Sequence, residues 1–234
     1  ESCTLTVRSR LTHVSEVSDM LIEAFEFQVL KDNAPVYEGQ TNFGFFTREA
    51  LAAQKGIRDN DLPYGYPWTV TAGLDGPYKI LTDEPPMAPD DQQTNPLKNK
   101  AMPAKALRMI DQIDVFDPQG GPHGLGYMRA SKTVDPGEWF FKAHFFQDPV
   151  CPGSLGLESL YQLLKFIALQ RWSDARDGRW SMVCDNEHAW TYRGQILPEN
   201  KVVQIQAVVT SIQDEPEPAI FVDGLLSVDG IVIY

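Results

Sequence analysis

Cysteine is scarce in this 234-residue chain: Cys3, Cys151 and Cys184 are the only three. An odd count at unpatterned positions fits neither a disulfide framework nor a zinc-site spacing, and it points to a reducing, cytoplasmic setting. Basic residues are also few, 20 Lys and Arg against 32 Asp and Glu, for a formal charge of −12. The field around such a chain repels polyanions and argues against nucleic acid as a partner. Long apolar runs are missing too. The most apolar stretch carries Glu158, Gln162 and Lys165, so it falls short of the roughly 18 uncharged residues of a membrane-spanning helix. There is no starting Met and no signal-peptide profile, and the first residues already alternate like a strand, so the sequence reads as a piece of a longer polypeptide. What is present is 43% hydrophobic and 11% aromatic, enough for one large domain or two small ones.

Residues 1–48 alternate in the manner of strands: Thr4–Val7, Leu21–Leu30 and Val36–Phe46, with a turn at Lys31-Asp32-Asn33-Ala34-Pro35. A short helical pattern runs from Thr47 to Gly56. Residues 49–105 then read as a linker, punctuated by Pro63, Pro67, Pro77, Pro85, Pro86, Pro89 and Pro96, with aromatics that suggest partial packing on a domain surface. Residues 106–234 read as a complete domain. Strands are expected at Tyr127–Val134, Trp139–Ala143, Trp180–Cys184, Lys201–Ile212, Ile220–Leu226 and Ile231–Tyr234, with a helix at Ser154–Trp172 about 28 Å long. Leucines, Phe166 and Ile167 fall on every side of that helix, which predicts burial all round. One buried helix wrapped by an antiparallel sheet is an α+β hot dog. Residues 3–46 repeat the plan of 201–234, so the N-terminal part reads as the closing strands of a preceding, incomplete hot dog.

His144 stands at the head of a loop, His144 to Ser154, whose two prolines and Gly153 carry the chain into the helix. Amide N–H groups at a helix start have no intrahelical acceptor and suit a developing oxyanion. Glu158 falls one turn inside the helix, with Gln162 four residues on and on the same face. A carboxylate on an apolar helix needs a partner or a use. A base, a helix-entry glycine and an acid together suit proton abstraction beside a carbonyl, with an acid to assist a leaving group. Asp148, before Pro149, is expected to fix the loop through backbone N–H groups. Cys151 reads as a wall residue, since no basic group lies beside it in sequence to activate it. His13 and His188 in strand patterns and His123 in a Gly/Pro loop read as structural or solvated.

The run from Trp139 to Gln162 closely resembles the active-site segment of bacterial 3-hydroxyacyl-acyl-carrier-protein dehydratases of the 3-hydroxydecanoyl type. The shared signature is His-Phe, then Asp-Pro-Val, then Pro-Gly-x-Leu-Gly-Leu-acid. Arg108–Ile113 is similar to the family's opening segment and Tyr192–Pro198 to its motif after the helix. Val36–Thr47 resembles the junction between consecutive dehydratase modules of polyunsaturated fatty acid synthases.

The resemblance implies a hot-dog dehydratase acting on a thioester held by an acyl carrier protein. His144 would take the α-proton, the Gly153 N–H would hold the enolate oxygen, Glu158 would protonate the leaving hydroxyl, and Gln162 would orient Glu158. No cofactor and no metal is expected, because side chains carry both proton transfers. Family members that also isomerise the double bond carry Asp on the helix. Glu158 in that place therefore favours dehydration alone. The resemblance further implies that the His of one hot dog faces the acid of a neighbour, which predicts a homodimer or pseudo-dimer. The other readings are a hot-dog thioesterase and a non-catalytic structural hot dog within a synthase. Lys132, Lys142, Lys165 and Arg171 are the candidates for a basic patch that docks the carrier protein.

Overall fold

A computed structural model describes residues 3–17, 20–58, 61–62, 66, 68, 78–79, 103–172 and 179–234. The chain forms two compact units, Glu1–Gln54 and Lys55–Tyr234. The division falls inside the stretch that reads as a linker from residue 49.

The first unit is an antiparallel meander of β1 (Leu5–Val17), β2 (Met20–Lys31) and β3 (Ala34–Phe45), followed by the short helix α1 (Arg48–Ala52). Asp32 and Asn33 both take positive φ, 50° and 67°. That is the two-residue turn whose twist matches antiparallel strands, and short polar side chains tolerate it best. Thr47 starts α1 by accepting from the Ala50 N–H at 3.2 Å. Strand alternation sorts the sheet into two unlike faces. One carries Phe25 against Phe43 and Phe27 against Tyr37, while the other carries an Arg10–Glu26 ion pair and a Gln28–Glu38 hydrogen bond.

The second unit holds a six-stranded antiparallel sheet in sequence order. Its strands are β4 (Tyr78–Lys79), β5 (Gln112–Asp117), β6 (Tyr127–Thr133), β7 (Val202–Gln213), β8 (Ala219–Val228) and β9 (Ile231–Val232). Its helices are the single turn α2 (Phe140–Ala143) and the long α3 (Gly153–Arg171), which packs across β7 and β8. Ile113, Met128, Leu163, Phe166, Ile205 and Leu226 meet between α3 and the sheet, all nearly closed to solvent. Each such side chain contributes about 1.5–3 kcal/mol through burial. This is the hot-dog arrangement expected from the sequence. Because adjacent strand residues face opposite ways, Val208 leaves that core and meets Trp68, Tyr127 and Leu225 on the other side of the sheet. Gly56 (φ 71°) and the Ile57 N–H, which donates to the Val232 carbonyl at 2.7 Å, tie the start of the proline-rich stretch to the same unit.

Three expectations change. Trp139–Ala143 is not a strand: the chain there forms α2, with the His144 N–H closing it on the Phe140 carbonyl at 3.0 Å. Phe140 and Phe141 are both buried in one core. Neighbouring residues of a strand could not both reach it, and a helical turn lets them. Trp180–Cys184 is irregular chain with a turn at Cys184–Asp185, and residues Trp190–Leu197 lie outside the sheet ladder, ahead of a turn at Pro198–Glu199. Finally, α3 is not buried all round. Leu163, Phe166 and Ile167 are covered by the sheet, whereas Leu157, Tyr161 and Leu164 are half-buried along a second stripe.

Candidate active site

His144 lies immediately after α2, half-buried and stacked on Phe145 with ring centroids 3.9 Å apart. Its Nδ1 is 3.1 Å from the Val150 carbonyl oxygen. A carbonyl only accepts, so this bond assigns the ring proton to Nδ1 and leaves the Nε2 lone pair available. The loop that supplies Val150 turns at Gln147, which takes a positive φ of 56°. The Val150 N–H donates to the Asp148 carbonyl at 2.9 Å. The Asp148 carboxylate is exposed and makes no hydrogen bond among the described residues. The loop therefore depends on the Asp148 backbone, and the expected side-chain bonds to N–H groups are not made.

Gly153 is the first residue of α3, behind Pro152, and the helix start has no side-chain cap. Its N–H is therefore one of the unsatisfied donors of the first turn. A side chain at 153 would meet the Tyr192 ring at 2.9 Å, and one at 156 would overlap the Tyr234 ring at 1.9 Å. These two rings contact each other edge to face at 4.5 Å. Burial pushes both phenols up, with the neighbouring Cys151 and Tyr192 adding to the effect at Tyr234. Sequence reasoning does not mark either ring as part of the site. Their signal is the pair of glycines three residues apart at the helix start, whose missing side chains leave room for aromatic rings.

Gln162 is fully buried and uses its whole carboxamide. Its Oε1 accepts from the Met109 N–H at 2.9 Å, and its Nε2 donates to the Leu107 carbonyl at 2.9 Å and to Glu158 Oε1 at 3.0 Å. The half-buried Glu158 carboxylate is thus fixed to the segment that enters β5. Helical spacing alone places Gln162 beside Glu158, but the backbone partners at 107 and 109 come from the fold. Among the described residues, no hydrogen bond or ion pair links His144 with Glu158 in the same chain.

A small cavity of about 30 Å³, near one water's share of volume, lies between helix and sheet beside Phe140, Phe141, Cys151, Leu155 and Ser159. Neither His144 nor Glu158 lines it. Burial pushes the Cys151 thiol up to about 12, while nearby Lys132 pulls it down and Glu138 pushes it up. A basic group does stand near Cys151 in space, but desolvation outweighs it and the thiol is held protonated. Among the described residues no group of His, Cys, Asp and Glu side chains is arranged to hold a metal ion.

Two of the four expected docking cations are already engaged. Lys132 is only 13% exposed and pairs with Glu138 at 3.0 Å and Asp111 at 3.7 Å. Arg171 grips the Asp214 carboxylate with two nitrogens, at 3.2 and 2.8 Å. Lys142 and the half-buried Lys165 are unpaired among the described residues.

Residues 102–234 match the model of the FabA-like domain. The chain is also 31% identical, over 250 aligned residues and 98% of its length, to a polyunsaturated fatty acid synthase polypeptide of Thraustochytrium sp.. It spans 16% of that relative's length. None of the described helices is long and apolar enough to cross a membrane. With the matched region covering the helix-on-sheet unit and the whole of the His144-to-Gln162 segment, the chain belongs to the FabA-like domain family.

Proposed function

We propose that the second unit removes water from 3-hydroxyacyl thioesters carried on an acyl carrier protein, giving trans-2-enoyl thioesters, as one domain of a cytoplasmic multidomain fatty acid synthase. The observation that carries the reading is the assigned tautomer of His144: Nδ1–H is held by the Val150 carbonyl and Nε2 is left as a base.

In the reaction, Nε2 takes the proton from the carbon α to the thioester. The electron pair moves onto the carbonyl oxygen, where the Gly153 N–H and the start of α3 stabilise it. As the pair returns to form the carbon–carbon double bond, the bond to the 3-oxygen breaks and Glu158 delivers a proton to it, releasing water. Gln162 holds Glu158 in place for that transfer. The base and acid belong to facing hot dogs. The half-buried stripe Leu157, Tyr161, Leu164, which flanks Glu158 on α3, supports a second helix packed there. In this chain that neighbour is a second copy, giving a homodimer with two composite sites.

The test is to incubate the purified chain with a 3-hydroxyacyl group on carrier protein and weigh the acyl-carrier species. Loss of one water with the thioester intact is the expected result. Release of free acid would indicate a thioesterase, and no change would indicate a structural hot dog.

A further inference from the structure

The segment from Tyr192 to Leu197 lies outside the sheet ladder, yet backbone bonds hold it against the head of α3. The Cys151 N–H donates to the Ile196 carbonyl at 3.0 Å, and the Arg193 N–H donates to the Ile233 carbonyl at 2.8 Å. The first bond fastens the segment to the loop that enters α3, and the second to the stretch that carries Tyr234. Tyr234 is buried, and its backbone pairs with Leu226 of β8 in both directions, at 3.1 and 3.2 Å. Its ring fills the space over Gly156 and meets the Tyr192 ring edge to face. Tyr192 is thus set in place by a buried ring and by backbone bonds at 193 and 196.

That support presents one end of the Tyr192 ring to Gly153. The atom nearest to where a side-chain carbon at 153 would stand is Cζ, which bears the hydroxyl, at 2.9 Å, with Cε1 and Cε2 at 3.1 and 3.2 Å. The phenol end of the ring therefore lies over the residue whose N–H is free. The hydroxyl makes no hydrogen bond among the described residues, and the residue is 38% exposed, so a donor stands open to a bound molecule. Burial pushes the Tyr192 phenol up, with Tyr161 adding to the effect, which keeps the hydroxyl protonated. Gly153, Leu157 and Tyr161 follow at four-residue spacing on one flank of α3, the flank proposed to meet a second copy. A ring that only filled the space over a glycine would need no hydroxyl.

We infer that the Tyr192 hydroxyl is a second donor to the thioester carbonyl oxygen, beside the Gly153 N–H. A carbonyl oxygen accepts along two lone pairs, and the charge it gains as the α-proton leaves is best met by donors already fixed in place. The Gly153 N–H supplies one, and Tyr192 of the same chain supplies the other. Tyr192 forms no covalent bond. Its proton stays on the phenol oxygen while the electron pair of the broken C–H bond moves onto the carbonyl oxygen and then returns to form the double bond. The inference rests on the dehydration proposed above and adds a catalytic residue that neither proton transfer uses.

Tyr192→Phe keeps the ring on Gly153 and removes only the hydroxyl, so it is compared with the wild-type chain in two assays. On a carrier-bound 3-hydroxyacyl thioester, kcat should fall about a hundredfold while KM stays near the wild-type value, as for a donor that acts mainly in the transition state. The second assay needs no turnover. A butyryl thioester isotope-labelled at the carbonyl carbon, with no 3-hydroxyl to lose, is bound to each protein and its carbonyl band is read by infrared difference spectroscopy. The band should lie lower in the wild-type protein and move back up in Tyr192→Phe. A kcat within about twofold of wild type in Tyr192→Phe, or the same band in both proteins, would overturn the inference. A wild-type chain that releases no water yet shows the band difference would overturn the dehydration reading and support the contact between hydroxyl and carbonyl.

Discussion

Hairpins β1–β2 and β7–β8 are built alike and surrounded differently. In both, alternation and an Asp-led turn set the pairing, so the backbone arrangement follows from local chemistry alone. Under one of them α3 closes a core and brings Glu158 and Gln162 with it. In the other, the equivalent side chains Leu5, Val7 and Leu11 are exposed. The ladder is the same in the two cases, while burial, and with it stability and chemistry, comes from the helix.

Truncation at equivalent positions puts the largest strain on that comparison. Ile205→Ala should cost the second unit about 2–5 kcal/mol in denaturant unfolding, the range for a buried aliphatic. The equivalent Val7→Ala should cost less than about 0.5 kcal/mol, as for an exposed position. Equal losses would mean that the first sheet is covered within this chain.

The site offers the next contrast, because α3 brings a buried polar network to the second unit. Gln162→Leu removes the partners of the Met109 N–H, the Leu107 carbonyl and Glu158 together. Stability should fall by about 1–3 kcal/mol, and kcat should fall more than KM rises. A variant that loses stability while kcat holds would leave Gln162 a purely structural role.

How far the sequence carries this picture depends on the range of the interactions involved. β2, β3 and the helix at 153–171 are legible because alternation, helical spacing and turn residues are local signals. By contrast, β1 runs on to Val17 beyond the expected Thr4–Val7, because Arg8, Ser9 and Arg10 interrupt the apolar alternation and only pairing with β2 shows the strand continuing. The turn at 140–143 is not, because two adjacent Phe residues read as a strand until the core they share is known. The one-sided burial of α3 is hidden for the same reason: composition shows that a helix is apolar, and only packing shows which stripe meets the sheet. His144, Gly153, Glu158 and Gln162 can be named from their order along the chain. The Val150 carbonyl, the Met109 N–H and the rings of Tyr192 and Tyr234 require the fold.

The two turns differ in how their aspartates are used, which gives a smaller prediction. The Asp229 carboxylate accepts from the Lys201 and Val202 N–H groups and from Asn200. The Val202 N–H, more than the other bonds, holds it below the usual carboxylate range. A carboxyl lowered on folding stabilises the fold above its unfolded value and loses that contribution as pH falls through the folded one. Asp229→Ala should therefore cost about 1 kcal/mol at neutral pH, and the gap from wild type should close below about pH 4. Thermal melts of both proteins across that range check the sign.

Smallest in energy is a difference between thiols. Cys3 and Cys184 are exposed, whereas Cys151 is buried and its thiol is raised to about 12. Iodoacetamide at about pH 8 should modify Cys3 and Cys184 in the native protein and reach Cys151 only on unfolding. Early modification of Cys151 would show that the helix–sheet cavity opens readily.

The central claim is that His144 and Glu158 act as base and acid on one carrier-bound thioester. Its most direct test is the rate of enoyl-thioester formation by the wild-type chain, by His144→Ala, by Glu158→Gln, and by the two variants mixed and allowed to exchange protomers. The account predicts that each variant alone loses at least about a thousandfold in kcat/KM, near 4 kcal/mol. It also predicts that the mixture regains activity, up to one working site per heterodimer. More than about a tenth of wild-type activity in either variant alone, a loss under roughly 1.4 kcal/mol, would contradict it.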